Sequence, residues 1–141
     1  MKQLKTEIIA LCDYALVDQQ GKVSIMGIFD ELRVEKFPGG FIDKFLVATV
    51  HGDPNDPHTL TVKLEKEGNG KNLLNQTIVN ITTSPNGKSN VIVRLANVGF
   101  ESEGDYRFLI CDKSNEKIGE TLLKVMRLNK VQESTFKMPV N

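Results

Sequence analysis

The feature that most constrains this chain is the alternation of apolar and polar residues within short segments. In HTLTVKLE, Leu60, Val62 and Leu64 alternate with polar residues, so a strand here would have one dry face and one wet face. Similar segments rich in Val, Ile, Thr and Phe recur, each bounded by Gly, Asn, Asp or Pro. They predict eight strands, at residues 7–15, 22–34, 44–51, 58–66, 73–82, 90–98, 105–111 and 118–126. Half-buried antiparallel strands of this kind indicate an all-β fold with two packed sheets, a β-sandwich.

Length and charge narrow the classes of function. The 141 residues fit a single domain, which we place at residues 1–128, followed by a tail at 129–141. Because 18 basic residues balance 18 acidic ones, no basic surface is expected, and nucleic acid is not a predicted partner. No segment resembles a membrane span or a secretory signal, so we predict no membrane partner and a cytoplasmic location.

In the second predicted strand the apolar residues shift from odd to even positions. Val23 and Ile25 occupy odd positions, whereas Ile28 and Leu32 occupy even ones. A β-bulge at Met26 and Gly27 would return the apolar side chains to one face of the strand.

The segment HGDPNDPH, residues 51–58, holds both histidines of the chain and two of its aspartates. Two imidazoles and two carboxylates are ligands that zinc or a similar ion accepts. The candidate ligands of a metal site are therefore His51, Asp53, Asp56 and His58.

The same segment also fits a hairpin loop that binds no metal, because Asp-Pro pairs and glycine are typical turn residues. The register of the hairpin decides whether the two imidazoles can meet. Pairing Val47 with Val62 puts His51 and His58 on one face, whereas pairing Ala48 with Val62 puts them on opposite faces. The sequence leaves both registers open, and the structural loop is the favoured interpretation.

Other catalytic motifs are absent from the sequence. GxSxG, HExxH and paired CxxC patterns do not occur, and Cys12 and Cys111 lie far apart. We expect both thiols to be free and the Cys12 thiol to be buried as a small apolar group, and no cofactor is expected.

Three segments carry a resemblance to a known family: LCDYALVDQQGKVSIMGIFDELRV at 11–34, FLVATVHGD at 45–53 and EGDYRFLI at 103–110. They resemble a family of uncharacterised bacterial domains with the signature Cys-Asp-x-Ala, then Gly-Lys-(Leu or Val)-Ser and x-Gly-Ile-Phe-Asp. The matching residues are Cys12, Asp13, Ala15, Gly21, Lys22, Val23, Ser24, Gly27, Ile28, Phe29 and Asp30. The resemblance implies a β-sandwich and no assigned activity, so no functional residue carries over.

A second resemblance is to immunoglobulin-type sandwiches. Gly104, Asp105 and Tyr106 open a late strand as a tyrosine corner does. Phe108 stands where an antibody domain has its second cysteine, and the chain has no tryptophan, so the resemblance implies the general architecture alone.

A sandwich without a catalytic constellation favours a non-enzymatic module for protein interaction or assembly, acting through loops or a sheet edge. Its partner would be another protein or a second copy of the chain. The alternative is a metal-dependent ligand binder, or a small enzyme, that uses the His51 to His58 loop.

The tail supports the assembly interpretation. Phe136, Met138 and Val140 recur with period two, which predicts an edge strand on this sandwich or a neighbouring one. The alternative is a disordered terminus, because Pro139 removes a hydrogen-bond donor.

Overall fold

The computed structural model describes residues 3–128. This part of the chain consists of strands joined by turns and loops, and it has no helix of the length and hydropathy that crossing a membrane takes. The tail at 129–141 lies outside the described residues, so its predicted edge strand stays a prediction. The strands are β1 (Lys5–Val17), β2 (Val23–Phe29), β3 (Glu31–Val34), β4 (Gly39–His51), β5 (Pro57–Lys66), β6 (Thr77–Thr82), β7 (Lys88–Phe100), β8 (Gly104–Cys111) and β9 (Lys117–Arg127).

The strands form two sheets, which confirms the predicted all-β, two-sheet architecture. Sheet A has the order β2-β1-β4-β7, and sheet B has the order β3-β9-β8-β5-β6. The described residues form nine strands where the sequence predicted about eight, because the segment 22–34 divides at Asp30 between the two sheets. The prediction of antiparallel pairing holds except for β3, which pairs parallel with β9.

The core lies between the sheets and follows the predicted alternation. Leu60, Val62 and Leu64 of β5 are fully buried in it. The tyrosine corner also forms, because the hydroxyl of buried Tyr106 donates a hydrogen bond to the carbonyl oxygen of Ser102 at 2.7 Å. This bond ties the start of β8 to the turn before it.

A bent hairpin begins the fold. β1 and β2 form an antiparallel hairpin whose outer part, residues 13–28, we call the arm. Its register is the same on both sides of the bend, with Cys12 opposite Ile28 and Tyr14 opposite Met26, so neither strand has an extra residue. The predicted β-bulge was therefore wrong. Gly27 nevertheless has the special backbone that the phase change suggested, with φ at +70°.

The sheet change at Asp30 explains the phase change. Phe29, on β2 of sheet A, packs against the main core. Leu32 then packs against the same core from β3 of sheet B, where Val34 is also buried, so their even numbering reflects a different sheet.

The arm covers the outer face of sheet A. Ala15, Val23 and Ile25 of the arm form a second apolar cluster with sheet residues that point away from the main core: Cys12, Phe45, Val47 and Ile92. Two polar contacts hold the arm in place. At its base, Lys44 Nζ lies 2.6 Å from Asp13 Oδ1, and at its tip Asn90 Nδ2 donates to the carbonyl oxygen of Gly21 at 3.3 Å.

Gly27→Ala tests the bend. An added Cβ would lie 2.8 Å from Asp13 Cγ, and alanine would also adopt an unfavourable positive φ. Gly68 is a matched control, because it has φ at +82° but no atom within 4 Å of an added Cβ. We expect urea melts to show a loss of unfolding free energy of about 2 kcal/mol or more for Gly27→Ala and about 1 kcal/mol for Gly68→Ala. Equal losses would show that Asp13 does not crowd the bend.

Candidate functional site

The four candidate metal ligands lie on a connection between the two sheets. His51 ends β4 in sheet A, where it pairs with Lys5 and Lys88. His58 lies in β5 of sheet B, opposite Ile81. β4 and β5 do not pair with each other, so the predicted hairpin was wrong in both of the registers considered. The apolar alternation of the two strands fits a crossover between sheets as well as it fits a hairpin.

Buried Thr83 holds this crossover in place. Its hydroxyl donates to the carbonyl oxygen of Asp53 and accepts a hydrogen bond from the backbone N–H of Asp56 at 2.8 Å. Its own N–H donates to the carbonyl oxygen of Asp56 at 3.0 Å. Asn55, between the two aspartates, adopts a positive φ of 52°. The backbone groups of the crossover thus find their hydrogen-bond partners in Thr83 and Ser84, which hold the loop in one conformation.

His58 and Asp56 border an open cavity of about 790 Å³ at one end of sheet B. His58 Nε2 lies 3.0 Å from Asp56 Oδ2, although the two groups are not aligned for a hydrogen bond. Two other carboxylates on the rim already have partners. Asp112 accepts from the backbone N–H groups of Ser114 and Glu116, and Glu116 accepts from the side chain of Gln3.

The geometry separates the two histidines. His51 Nε2 lies 4.0 Å from Glu7 Oε1 in sheet A, away from the His58 and Asp56 pair. Within residues 3–128, no three His, Cys, Asp or Glu side chains come close enough together to hold a metal ion. The His58 and Asp56 pair is therefore two ligands short of a tetrahedral zinc site.

A metal titration follows from this geometry. We expect calorimetry with zinc, nickel and calcium to give no dissociation constant below about 10 µM, because two ligands cannot close a site. His51→Ala and His58→Ala serve as controls. A tighter one-to-one site that disappears in both variants would show that the two imidazoles meet after all.

Both cysteines are free and buried. Burial raises the pKa of the Cys12 thiol and of the Cys111 thiol above the ordinary value, so neither is poised as a thiolate nucleophile. Cys12 lies beneath the arm, as part of the second apolar cluster.

The outer surface of the arm is apolar and exposed. Tyr14 and Met26, which are cross-strand partners, are 48% and 50% exposed. Leu16, two residues from Tyr14, is also exposed, and so is Ile28 beside the bend. We call Tyr14, Leu16 and Met26 the arm face. This surface was not predicted from the sequence. The run ALCDYALV is apolar at both odd and even positions, which indicates that β1 does not have one polar, solvent-facing side.

The arm face adjoins an unprotected sheet edge. β2 ends sheet A, and its sequence VSIMGIF contains neither a charged residue nor a proline. Natural proteins guard sheet edges with charges, prolines or short strands, because free N–H and C=O groups there can pair with another strand.

The other three edge strands differ from β2. β7, at the opposite edge of sheet A, carries Lys88 and Arg94, and β3 has only four residues, two of them charged. β6 is uncharged, but it has six residues and a single exposed large apolar side chain, Ile78. Of the four edges, β2 thus combines the longest uncharged sequence with the most apolar surface.

Comparisons with known proteins agree with this fold. A model of DUF6941, a family of unknown function, matches residues 7–126, which confirms the predicted resemblance to domains without an assigned activity. No curated protein matches the chain in sequence. Among solved structures, the chain is similar to a β-glucosidase from Listeria innocua in complex with isofagomine, with a TM-score of 0.51 and 10% identity. It is also similar to a β-glucosidase from Erythrobacter marinus, with a TM-score of 0.53 and 7% identity.

These likenesses concern one part of much larger enzymes. The match covers 89% of this chain and 16% of the Listeria enzyme, and 88% of this chain and 15% of the Erythrobacter enzyme. At such low identity the likeness shows the fold alone, and no activity follows from it.

Proposed function

The chain belongs to DUF6941, a family of unknown function, and we propose that it is a non-enzymatic protein-interaction module. In this proposal the arm binds an extended segment of protein, which adds to β2 as a further strand of sheet A. The exposed arm face beside the uncharged edge of β2 is the observation that carries the proposal.

The edge of β2 and the arm face would contribute to binding in different ways. Free N–H and C=O groups along β2 can form main-chain hydrogen bonds with an added strand whatever its sequence, and these supply affinity. Apolar side chains that alternate along the added strand would pack on Met26 and Tyr14, and these supply specificity. A surface of this kind selects extended, apolar, uncharged segments.

Within residues 3–128, sheet B also has an exposed apolar side chain, Leu122, but it lies opposite the charged Arg107. The outer face of sheet B carries Arg107, which pairs with Glu67 and with Glu120 at 3.2 Å, and Lys117, which lies 3.1 Å from Glu120. Such exposed charge networks stay hydrated and contribute little to binding. The alternative function at the crossover receives no support from its geometry, because the two imidazoles lie in different sheets.

A displayed library of random twelve-residue peptides tests the proposal without a known partner. We expect it to yield binders that are rich in Val, Ile and Phe, because a strand must alternate apolar side chains on the arm face. Met26→Lys should weaken their binding at least about tenfold, since it places a charge in the apolar contact. Because Met26 is half exposed, this variant should fold normally.

Ile78→Lys is the matched control, because Ile78 is equally exposed on the other uncharged edge, β6. It should leave binding unchanged. The proposal is wrong if the library yields no binder, or if binders respond to Ile78→Lys and not to Met26→Lys.

A further inference from the structure

We propose that the partner strand is β2 of a second copy of this chain, so that two copies form a symmetric dimer through antiparallel pairing centred on Met26. This inference rests on the proposed function, because it names what adds to β2. It would pair the edge strands of two sheets A and bring the two arm faces side by side.

The length and centre of β2 define the register of such a pairing. Met26 is the central residue of β2, which runs from Val23 to Phe29. Antiparallel pairing about Met26 therefore places each residue of β2 opposite a residue of the other copy, with Met26 opposite its own copy and Ile28 opposite Ser24. A two-fold interface of this kind is self-complementary, because each contact occurs twice.

The charges at the two ends of β2 fit the same register. Lys22 directly precedes the strand and Asp30 directly follows it, and both are exposed. Neither side chain forms an ion pair with another residue among 3–128. Pairing about Met26 places Lys22 of each copy opposite Asp30 of the other, since both lie four positions from the centre. Opposite charges that face each other across strands stabilise a ladder.

These charges also argue for a second copy over an unrelated protein. The strand itself carries no charge that would select a foreign partner. The two charges that directly flank it, Lys22 and Asp30, differ in sign and are equally distant from Met26, so a copy of the same strand satisfies both at once. One edge and one small apolar face make a small interface, and we expect a dissociation constant on the order of 10 µM.

The experiment is sedimentation equilibrium of the full chain over a wide range of concentration, with charge-swap variants. We expect the wild type to dimerise, and Met26→Lys to prevent it. Lys22→Asp and Asp30→Lys should each weaken the dimer about tenfold or more, because each brings like charges together twice per dimer. The double variant Lys22→Asp/Asp30→Lys should recover most of the wild-type affinity, because it restores both opposite-charge pairs.

Circular dichroism of each variant checks that it folds, and Ile78→Lys should dimerise like the wild type. The inference is wrong if the wild type stays monomeric up to about 300 µM, well above the expected dissociation constant. It is equally wrong if the double variant dimerises no better than the two single variants.

The peptide library separates this inference from the function on which it rests. If the chain is monomeric but binds displayed strands through Met26, the partner is another protein, and the proposed function stands without the dimer. If the chain neither dimerises nor binds displayed strands through Met26, both are wrong.

Discussion

The packing of the arm on sheet A is the contact on which the rest of the structure depends. Sheet A is apolar on both faces, because Leu46 and Ala48 of β4 face the core while Phe45 and Val47 face outward. Such a sheet needs cover on its outer side, and the folded arm supplies it with Ala15, Val23 and Ile25. The hydrophobic effect therefore requires a long, bent hairpin, and Gly27 permits the bend.

Two further features follow from the folded arm. Because the arm uses one face of its hairpin to cover sheet A, its other face leaves Leu16 and Met26 exposed and Tyr14 half exposed, with the Tyr14 ring in edge contact with Phe45. β2 pairs with β1 along one edge, and because the chain passes from β2 into β3 of the other sheet at Asp30, no strand of the described residues pairs with its other edge. The same packing that completes the fold thus leaves one apolar face and one open edge together, which is why this surface is the candidate for binding.

The sequence predicted the parts of the fold that depend on local patterns. Alternation correctly identified buried Leu60, Val62 and Leu64, and the Gly-Asp-Tyr opening of β8 predicted the tyrosine corner. Alternation could not show which sheet a strand joins, because both sheets place the same kind of residue inward. For that reason the segment 22–34 looked like one bulged strand, and HGDPNDPH looked like a hairpin loop. The expectation that His51 and His58 could face each other depended on the same hairpin, since it required β4 and β5 to be neighbouring strands.

The central claim is that the arm lies folded on the outer face of sheet A, and methyl NOE spectroscopy tests it most directly. The account predicts NOEs from the methyl groups of Val23 and Ile25 to those of Val47 and Ile92, because all four belong to one apolar cluster. The spectra are best recorded on dilute Met26→Lys protein, so that contacts within one chain are observed. An arm that extends into solvent would show no such NOEs, and that result would contradict the account.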